Sequence, residues 1–166
     1  MTMTSLRILI VDDEAPARAR MQTLIGDIQE NCACGLLDEA ADGQTALDII
    51  VDKQPDVVLL DVQMPGMTGI ELAQHIANAE LSVRPSIIFV TAYDEYALQA
   101  FEVHAMDYLL KPVKASRLQD ALVRIQAFRQ QNNAQMQQEK LRESLRTIPK
   151  VRQNFSVLEK NRVLLI

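Results

Sequence analysis

Short apolar runs alternate with amphipathic segments along roughly the first 115 residues of the chain. The runs Ile8-Leu9-Ile10-Val11 and Val57-Val58-Leu59-Leu60 are continuous, which is typical of strands that are covered on both faces. We predict strands at residues 8–11, 35–40, 57–60, 86–91 and 107–110. The first, third and fourth strands are the most apolar, so we expect them at the centre of a sheet.

Segments with helical periodicity separate these strands. The first helix has Pro16 in its first turn and one apolar face at the i, i+3, i+4, i+7 spacing, formed by Met21, Leu24, Ile25 and Ile28. Further helices are predicted near 44–53, 68–79 and 95–102. A fifth begins at Ser116, where Ser116-Arg117-Leu118-Gln119 matches a capping box. Alternating strands and helices form right-handed βαβ crossovers, so the fold class is α/β with a five-stranded, doubly wound parallel sheet.

The composition changes after about Phe128 and becomes rich in amide side chains. Residues 129–149 are predicted to be a polar linker that is helical in part, because the leucine spacing of a coiled coil breaks there while good helix formers remain. Residues 150–166 contain two apolar segments around a polar turn, which predicts a β-hairpin. Since one hairpin is marginal in water, we expect this segment to be the truncated start of a second domain.

The chain has 22 acidic and 17 basic residues and a net charge of −5. This balance argues against a protein that wraps nucleic acid by bulk charge. No apolar run approaches the roughly 18 residues of a membrane span, and the start of the chain lacks the basic and apolar regions of a signal peptide. We therefore expect a cytoplasmic protein with no membrane partner.

Cys32 and Cys34 form a C-x-C pair that could be half of a metal site or a redox pair. A tetrahedral zinc site needs four ligands at suitable spacing, and His75 and His104 lie far away in the sequence. We therefore expect ordinary cysteines in a loop or strand.

Chemically active side chains lie where the predicted strands end. Asp12 and Asp13 follow the first strand, and Asp61 follows the third. Thr91 ends the fourth strand, and Lys111 follows the fifth. Open α/β sheets bind their ligands at the carboxyl ends of the strands, so these residues predict a shared acidic site.

This combination suits phosphoryl transfer to an aspartate. Three clustered carboxylates repel one another unless a hard cation lies among them, and Mg²⁺ prefers oxygen ligands. Lys111 and Thr91 offer a positive charge and a hydroxyl to the transferred group, while the carboxylate of Asp61 attacks. The alternative is that Asp12 and Asp13 only cap a helix and Asp61 only begins a turn, but capping does not require a lysine at a matching strand end.

The same residues make the chain resemble a response-regulator receiver domain. The motifs are spread over residues 5–128 in the order of that family: Asp12-Asp13, Asp61-x-x-Met64-Pro65-Gly66, Thr91-Ala92 and Lys111-Pro112. The resemblance implies a flavodoxin-like sheet with strand order 2-1-3-4-5. It also implies a regulatory phosphoacceptor that catalyses only its own phosphorylation and is not otherwise an enzyme.

The resemblance assigns roles to individual residues. It makes Asp61 the phosphoacceptor, while Asp13 and Asp61, assisted by Asp12, bind Mg²⁺ together with the backbone carbonyl of Gln63. Thr91 and Tyr108 become a switch pair, and the Lys111-Pro112 peptide is expected to be cis.

Residues 91–98 and 101–112 resemble the LytR/AlgR group of receivers more specifically. That group carries a C-terminal DNA-binding domain of the LytTR type, and residues 150–166 match only the start of such a domain. The resemblance therefore implies a transcription regulator that binds DNA through a domain mostly absent here. It also implies a sensor histidine kinase as the phosphoryl donor, and a homodimer through the face of the fourth helix, fifth strand and fifth helix.

Three other functions compete with this interpretation. A hydrolase with an aspartate nucleophile places that nucleophile after the first strand with its acid partner two residues on, whereas Asp12 and Asp13 are adjacent. A flavin-binding protein needs a first loop that cradles a phosphate, which Asp12, Asp13 and Glu14 would repel. A receiver-like interaction module that is never phosphorylated is the remaining alternative.

Overall fold

The computed structural model describes residues 4–146 of the protein. Strands and helices alternate along these residues in the following order: β1 Leu6–Val11, α1 Ala15–Ile28, β2 Cys34–Ala40, α2 Gly43–Lys53, β3 Val57–Leu60, α3 Gly69–Asn78, β4 Ser86–Thr91, α4 Ala97–Glu102, β5 Asp107–Leu110 and α5 Ala115–Arg146.

The five strands form one parallel sheet in the order β2-β1-β3-β4-β5. This confirms the predicted fold class and strand order, and it places the three most apolar strands in the interior of the sheet. β2 lies beside one edge of β1 and β3 beside the other, so the strand order reverses direction at β1. The carboxyl ends of β1 and β3 therefore flank the switch point, where such sheets bind ligands.

Two apolar cores cover the two faces of the sheet, because successive residues of a strand point to opposite faces. Ile8, Ile10 and Leu59 pack in one core with the buried faces of α1 and α5. Leu9, Val58 and Leu60 pack in the other with residues of α2, α3 and α4. The face of α1 predicted from its periodicity is buried in the first core: Met21, Leu24, Ile25 and Ile28.

The fifth helix differs from the prediction at its start. It begins at Ala115, and the backbone N–H groups of Arg117 and Leu118 donate to the carbonyl of Lys114. Ser116 therefore lies inside the first turn, and the predicted capping box is wrong. A capping box is present instead at α3, where Thr68 and Glu71 bond each other's backbone N–H groups.

The fifth helix also continues to Arg146, so the described part of the predicted linker is helical. Its glutamine, glutamate, lysine and arginine residues are good helix formers. Residues up to Gln126 form one compact unit, and the chain from Ala127 belongs to a second. The predicted hairpin at 150–166 lies outside the described residues. Within residues 4–146, no helix has both the length and the apolar character needed to cross a membrane.

Cys32 and Cys34 are free thiols buried in the core that contains α1. Cys34 is the first residue of β2, and burial raises its pKa to about 12. Such a thiol is unreactive at neutral pH because the thiolate is the nucleophile.

Candidate functional site at the carboxyl edge of the sheet

Backbone hydrogen bonds continue past the strand ends and fix the residues that follow them. The N–H of Asp12 donates to the carbonyl of Ala40 at 3.1 Å, and that of Asp61 donates to the carbonyl of Val11 at 3.0 Å. The N–H of Lys111 donates to the carbonyl of Thr91 at 2.8 Å. The backbone of these three site residues is therefore held by the neighbouring strands.

Three carboxylates converge at the switch point. Asp12 and Asp61 are buried, Asp13 is exposed, and one oxygen from each lies within 4.8 Å of the others. Ligands at about 2.1 Å from an octahedral Mg²⁺ lie roughly 3 to 4 Å apart, so the carboxylates fit this ion with small adjustments. All three donors are hard oxygens, and two are shielded from water. The donor set therefore suits Mg²⁺.

Lys111 bridges two of these carboxylates. Its Nζ lies 2.7 Å from Oδ2 of Asp12 and 3.4 Å from Oδ2 of Asp61. Burial lowers the pKa of Lys111, but its hydrogen bond to Asp12 and the nearby charge of Asp61 outweigh that effect and raise the pKa overall. Lys111 is therefore a cation throughout the neutral range, within reach of the Asp61 carboxylate.

The pKa of Asp61 is raised above its ordinary value, chiefly because burial disfavours the charged form. The charge of Lys111 lowers the pKa, that of Asp12 raises it, and the backbone N–H of Gln63 lowers it by hydrogen bonding. Asp61 thus carries a charge that its surroundings only partly compensate. Such perturbed carboxylates are concentrated at functional sites.

Thr91 and Tyr108 both bond to the backbone of Tyr93. Thr91 is fully buried at the end of β4, and its hydroxyl oxygen accepts a 3.4 Å bond from the N–H of Tyr93. The Tyr108 hydroxyl on β5 donates to the carbonyl of Tyr93. A displacement of Thr91 would therefore move the segment that holds the Tyr108 ring.

Gln63 lies two residues after Asp61 in the β3–α3 loop, and its side chain is exposed. Its side-chain amide donates to the hydroxyl of Tyr96 at 3.0 Å. This bond links the loop that carries Asp61 to the loop before α4.

Gly69 was not identified from the sequence. It is the first residue of α3, and its N–H donates to the carbonyl of Val62 at 2.7 Å. A Cβ at this position would lie only 2.1 Å from the carbonyl oxygen of Asp61. The start of α3 packs directly on the backbone that carries Asp61, and only glycine fits there. The turn signal Pro65-Gly66 hid this requirement, since a second glycine three residues further on gives no distinct pattern.

Comparisons with known proteins agree on one family. Residues 8–123 match the response regulator receiver domain. The chain belongs to the response regulator receiver family. The receiver is 46% identical over 120 residues to an uncharacterised response regulatory protein of Yersinia pestis, covering 72% of this chain and 48% of the relative. It is 43% identical over 117 residues to the positive alginate biosynthesis regulatory protein of Pseudomonas aeruginosa, covering 70% and 46%.

A third relative is the transcriptional regulatory protein BtsR of Escherichia coli. It is 35% identical over 144 residues, which cover 87% of this chain and 57% of BtsR. The chain thus spans about half the length of the relatives that it matches.

Solved structures share the fold of this receiver. The response regulatory domain of MrkE from Klebsiella pneumoniae is 31% identical with a TM-score of 0.66, covering 76% of this chain and 99% of that chain. The receiver domain of AraT from Geobacillus stearothermophilus is 32% identical with a TM-score of 0.68, covering 78% and 99%.

Proposed function

We propose that this receiver accepts a phosphoryl group on Asp61 from a sensor histidine kinase in the cytoplasm, in a reaction that depends on Mg²⁺. The observation that carries the proposal is the position of Asp61. Its buried carboxylate lies at the switch point, with the carboxylates of Asp12 and Asp13 within 4.8 Å and the Lys111 ammonium at 3.4 Å. A helix cap or a turn has no need of such a cluster.

The reaction forms one bond and breaks another. A carboxylate oxygen of Asp61 bonds to phosphorus while the bond from phosphorus to the donor's histidine nitrogen breaks, and that nitrogen retains the electron pair. Mg²⁺, held by Asp12, Asp13, Asp61 and the carbonyl of Gln63, would supply neutralising charge for the phosphoryl oxygens. Lys111 turns from Asp61 toward one of these oxygens, and the hydroxyl of Thr91 donates to another.

Labelling with acetyl phosphate tests the acceptor. Intact-mass spectrometry of the wild-type chain should show an added mass of about 80 Da, one phosphoryl group. Asp61→Asn keeps the shape of the side chain and removes the nucleophile, so the adduct should be absent. A full adduct on this variant would show that Asp61 is not the acceptor. An unlabelled wild-type chain would favour the phosphorylation-independent interaction module.

The metal requirement has its own test. Chelation by EDTA and the variant Asp13→Asn should each slow the labelling severely, because three carboxylates repel an anionic donor unless a cation neutralises them. Asp52→Asn, an exposed acid on α2, is the matched control and should label at the wild-type rate. Labelling that is unchanged by EDTA would contradict the role of Mg²⁺.

The phosphoryl group is proposed to shift the receiver toward a dimer. The phosphoryl group at Asp61 carries about two negative charges in place of the single charge of the carboxylate. Thr91 moves toward it, and Tyr108 then reorients inward. The proposed interface is the face of α4, β5 and α5, which exposes apolar side chains that include Leu98, Phe101, Leu110 and Val123. Exposed apolar surface is typical of interaction sites when it is contiguous.

Sedimentation of the beryllofluoride-treated chain tests this shift. We expect the mass of a dimer at tens of micromolar protein, and Phe101→Asp should remain monomeric under the same conditions because it places a charge in the interface. A treated wild-type chain that stays monomeric would contradict the proposal.

We also propose that the full-length protein is a LytR/AlgR-type transcription regulator with a LytTR-type DNA-binding domain after the receiver. Longer relatives that are named as regulatory proteins, about half of whose length this chain matches, support this extension. Specific readout of DNA needs side chains of a folded element fixed in a groove. In a mobility-shift titration at physiological salt, the full-length protein should bind specific sites and residues 1–166 should not. Specific binding by residues 1–166 would contradict this division of roles.

A further inference from the structure

The loop that carries Asp12 and Asp13 is bonded to a side chain outside the acidic site. Arg18 lies in the first turns of α1, and its side chain is only 16% exposed. Its Nη1 donates to the backbone carbonyl of Asp12 at 2.7 Å. That carbonyl belongs to the peptide between Asp12 and Asp13, so the guanidinium holds the peptide plane from which both acids project.

The guanidinium is itself held in place by β2. Its Nε donates to Oε1 of Glu39 at 2.9 Å, and the other carboxylate oxygen accepts a bond from the side-chain amide of Gln22. Arg18 and Gln22 are four residues apart on α1, so both face the same side of the helix. Glu39 lies beside Ile10 in the register between β1 and β2. The contact to Asp12 is thus the end of a continuous network across α1, β2 and the site loop.

The two acids of the loop differ in how their side chains are held. The carboxylate of Asp12 is fixed on both oxygens, by the N–H of Glu14 at 2.9 Å and by Lys111 at 2.7 Å. Asp13 is exposed, and the peptide that carries it sets the position and direction of its Cα–Cβ bond. A contact that fixes this peptide therefore also fixes where the Asp13 side chain begins.

We infer that Arg18 is a positioning residue that aims the carboxylate of Asp13, and to a lesser degree that of Asp12, at the metal ion. This inference rests on the proposed Mg²⁺-dependent function and deepens it. Arg18 bonds to the backbone carbonyl of Asp12 and to Glu39, and not to the carboxylates of the acidic cluster. Because Glu39 compensates its charge at 2.9 Å, its contribution is geometric. Outer residues that orient metal ligands typically change metal affinity by about 10–100-fold when they are mutated.

The simpler interpretation is that Arg18 only ties α1 to β2 as a structural ion pair. The two interpretations differ in what a substitution changes. Loss of a structural ion pair lowers the free energy of unfolding and leaves metal affinity unaltered in the folded protein. Loss of a positioning contact also weakens metal binding and raises the Mg²⁺ concentration that labelling requires.

Arg7 provides a matched control at the opposite edge of the sheet. This arginine of β1 also donates to backbone carbonyls, those of Lys53 and Gln54, and pairs with a carboxylate, that of Asp56. The sheet is parallel, so Arg7 lies at the amino edge of β1 and the acidic cluster lies beyond its carboxyl end.

The variants Arg18→Lys and Arg7→Lys each keep the charge but lose the planar fork of donors. Binding of Mn²⁺, an oxygen-seeking substitute for Mg²⁺, is measured from the electron paramagnetic resonance signal of the free ion. We expect Arg18→Lys to weaken binding by about 10-fold or more. The Mg²⁺ concentration for half-maximal labelling should rise by a similar factor, while the rate at saturating Mg²⁺ stays near that of the wild type. Arg7→Lys should leave both quantities unchanged.

Glu39→Gln is a second variant that retains Arg18 but weakens its anchor. It should shift Mn²⁺ binding in the same direction by a smaller factor, and it keeps the inference testable if Arg18→Lys folds poorly. Wild-type Mn²⁺ affinity in folded Arg18→Lys or Glu39→Gln would overturn the positioning role. A wild-type chain that bound no Mn²⁺ would overturn this inference together with the metal dependence. A wild-type chain that bound Mn²⁺ but was not labelled would overturn only the phosphoryl transfer.

Discussion

At the scale of single residues, Asp61 combines a buried position with a charge that the proposed phosphoryl transfer requires. Burial raises its pKa, and Lys111 offsets this effect only in part. Because the pKa is raised, the folded protein binds the proton of Asp61 more tightly than the unfolded chain does. The ionised carboxylate therefore lowers the stability of the folded protein at pH 7, and this penalty shrinks as the pH falls below the raised pKa.

Asp61→Asn should accordingly stabilise the metal-free protein at pH 7. We expect a gain of about 0.5–2 kcal/mol in the free energy of unfolding, the usual range for relief of an unfavourable charge. The gain should shrink as the pH is lowered and vanish below the ordinary aspartate pKa of 3.8. Urea unfolding at a series of pH values in EDTA measures it.

The exposed residue Asp52 on α2 gives the comparison, since Asp52→Asn should change the stability by less than about 0.5 kcal/mol at any pH. If Asp61→Asn were no more stable than the wild type at pH 7, the ionised Asp61 carboxylate would not be unfavourable in the folded protein.

At the scale of elements, the position of α3 relative to β3 sets the backbone position of Asp61, the proposed acceptor. The capping box of Thr68 and Glu71 starts the helix, and Gly69 allows it to approach the carbonyl of Asp61. The loop from Asp61 to Thr68 is thus held at both ends, at Asp61 by the sheet and at Thr68 by the start of α3.

Gly69→Ala should disturb the packing of α3 against the backbone of Asp61. Its Cβ would lie 2.1 Å from the carbonyl oxygen of Asp61, so the backbone must shift, at a cost of about 1–3 kcal/mol in stability. Labelling of Asp61 by acetyl phosphate should also slow, because the carboxylate moves with its backbone. Thermal unfolding and labelling rates measure the two effects.

Gly26→Ala is the matched control, since Gly26 lies within α1 and a Cβ there meets nothing within 4 Å. It should stabilise the protein by about 0.4–1 kcal/mol, with no effect on labelling. Equal labelling rates in the two alanine variants would show that the contact between α3 and Asp61 does not position the proposed acceptor.

At the scale of the whole molecule, the proposed Mg²⁺ site would couple ion binding to folding. Asp12 and Asp61 follow β1 and β3, which are neighbours only in the folded sheet, so the unfolded chain has no such cluster. An ion that binds only the folded state stabilises it by mass action.

Mg²⁺ at 100 times its dissociation constant should therefore add about 2.7 kcal/mol to the free energy of unfolding. Urea unfolding at increasing Mg²⁺ measures this gain. Asp13→Asn should reduce it strongly at the same Mg²⁺ concentrations, whereas Arg7→Lys should retain it. A gain of the same size in Asp13→Asn would place the ion at another site.

The sequence by itself determined the elements, the fold class and the gathering of acids at one edge. Apolar runs and the spacing of Met21, Leu24, Ile25 and Ile28 follow from local periodicity, which is a property of adjacent residues. The position of Asp61 at a strand end is likewise local, and a parallel sheet brings such ends together.

Only the tertiary structure decided the contacts between distant segments. Three such contacts depend on helix placement and strand register. Gly69 packs on the backbone of Asp61, and Arg18 bonds to the carbonyl of Asp12. Thr91 and Tyr108 both bond to the backbone of Tyr93. The start of α5 at Ala115 depends on which carbonyl first accepts a helical bond, here that of Lys114. Local periodicity does not encode these relations, because they arise when elements far apart in the sequence pack at fixed distances.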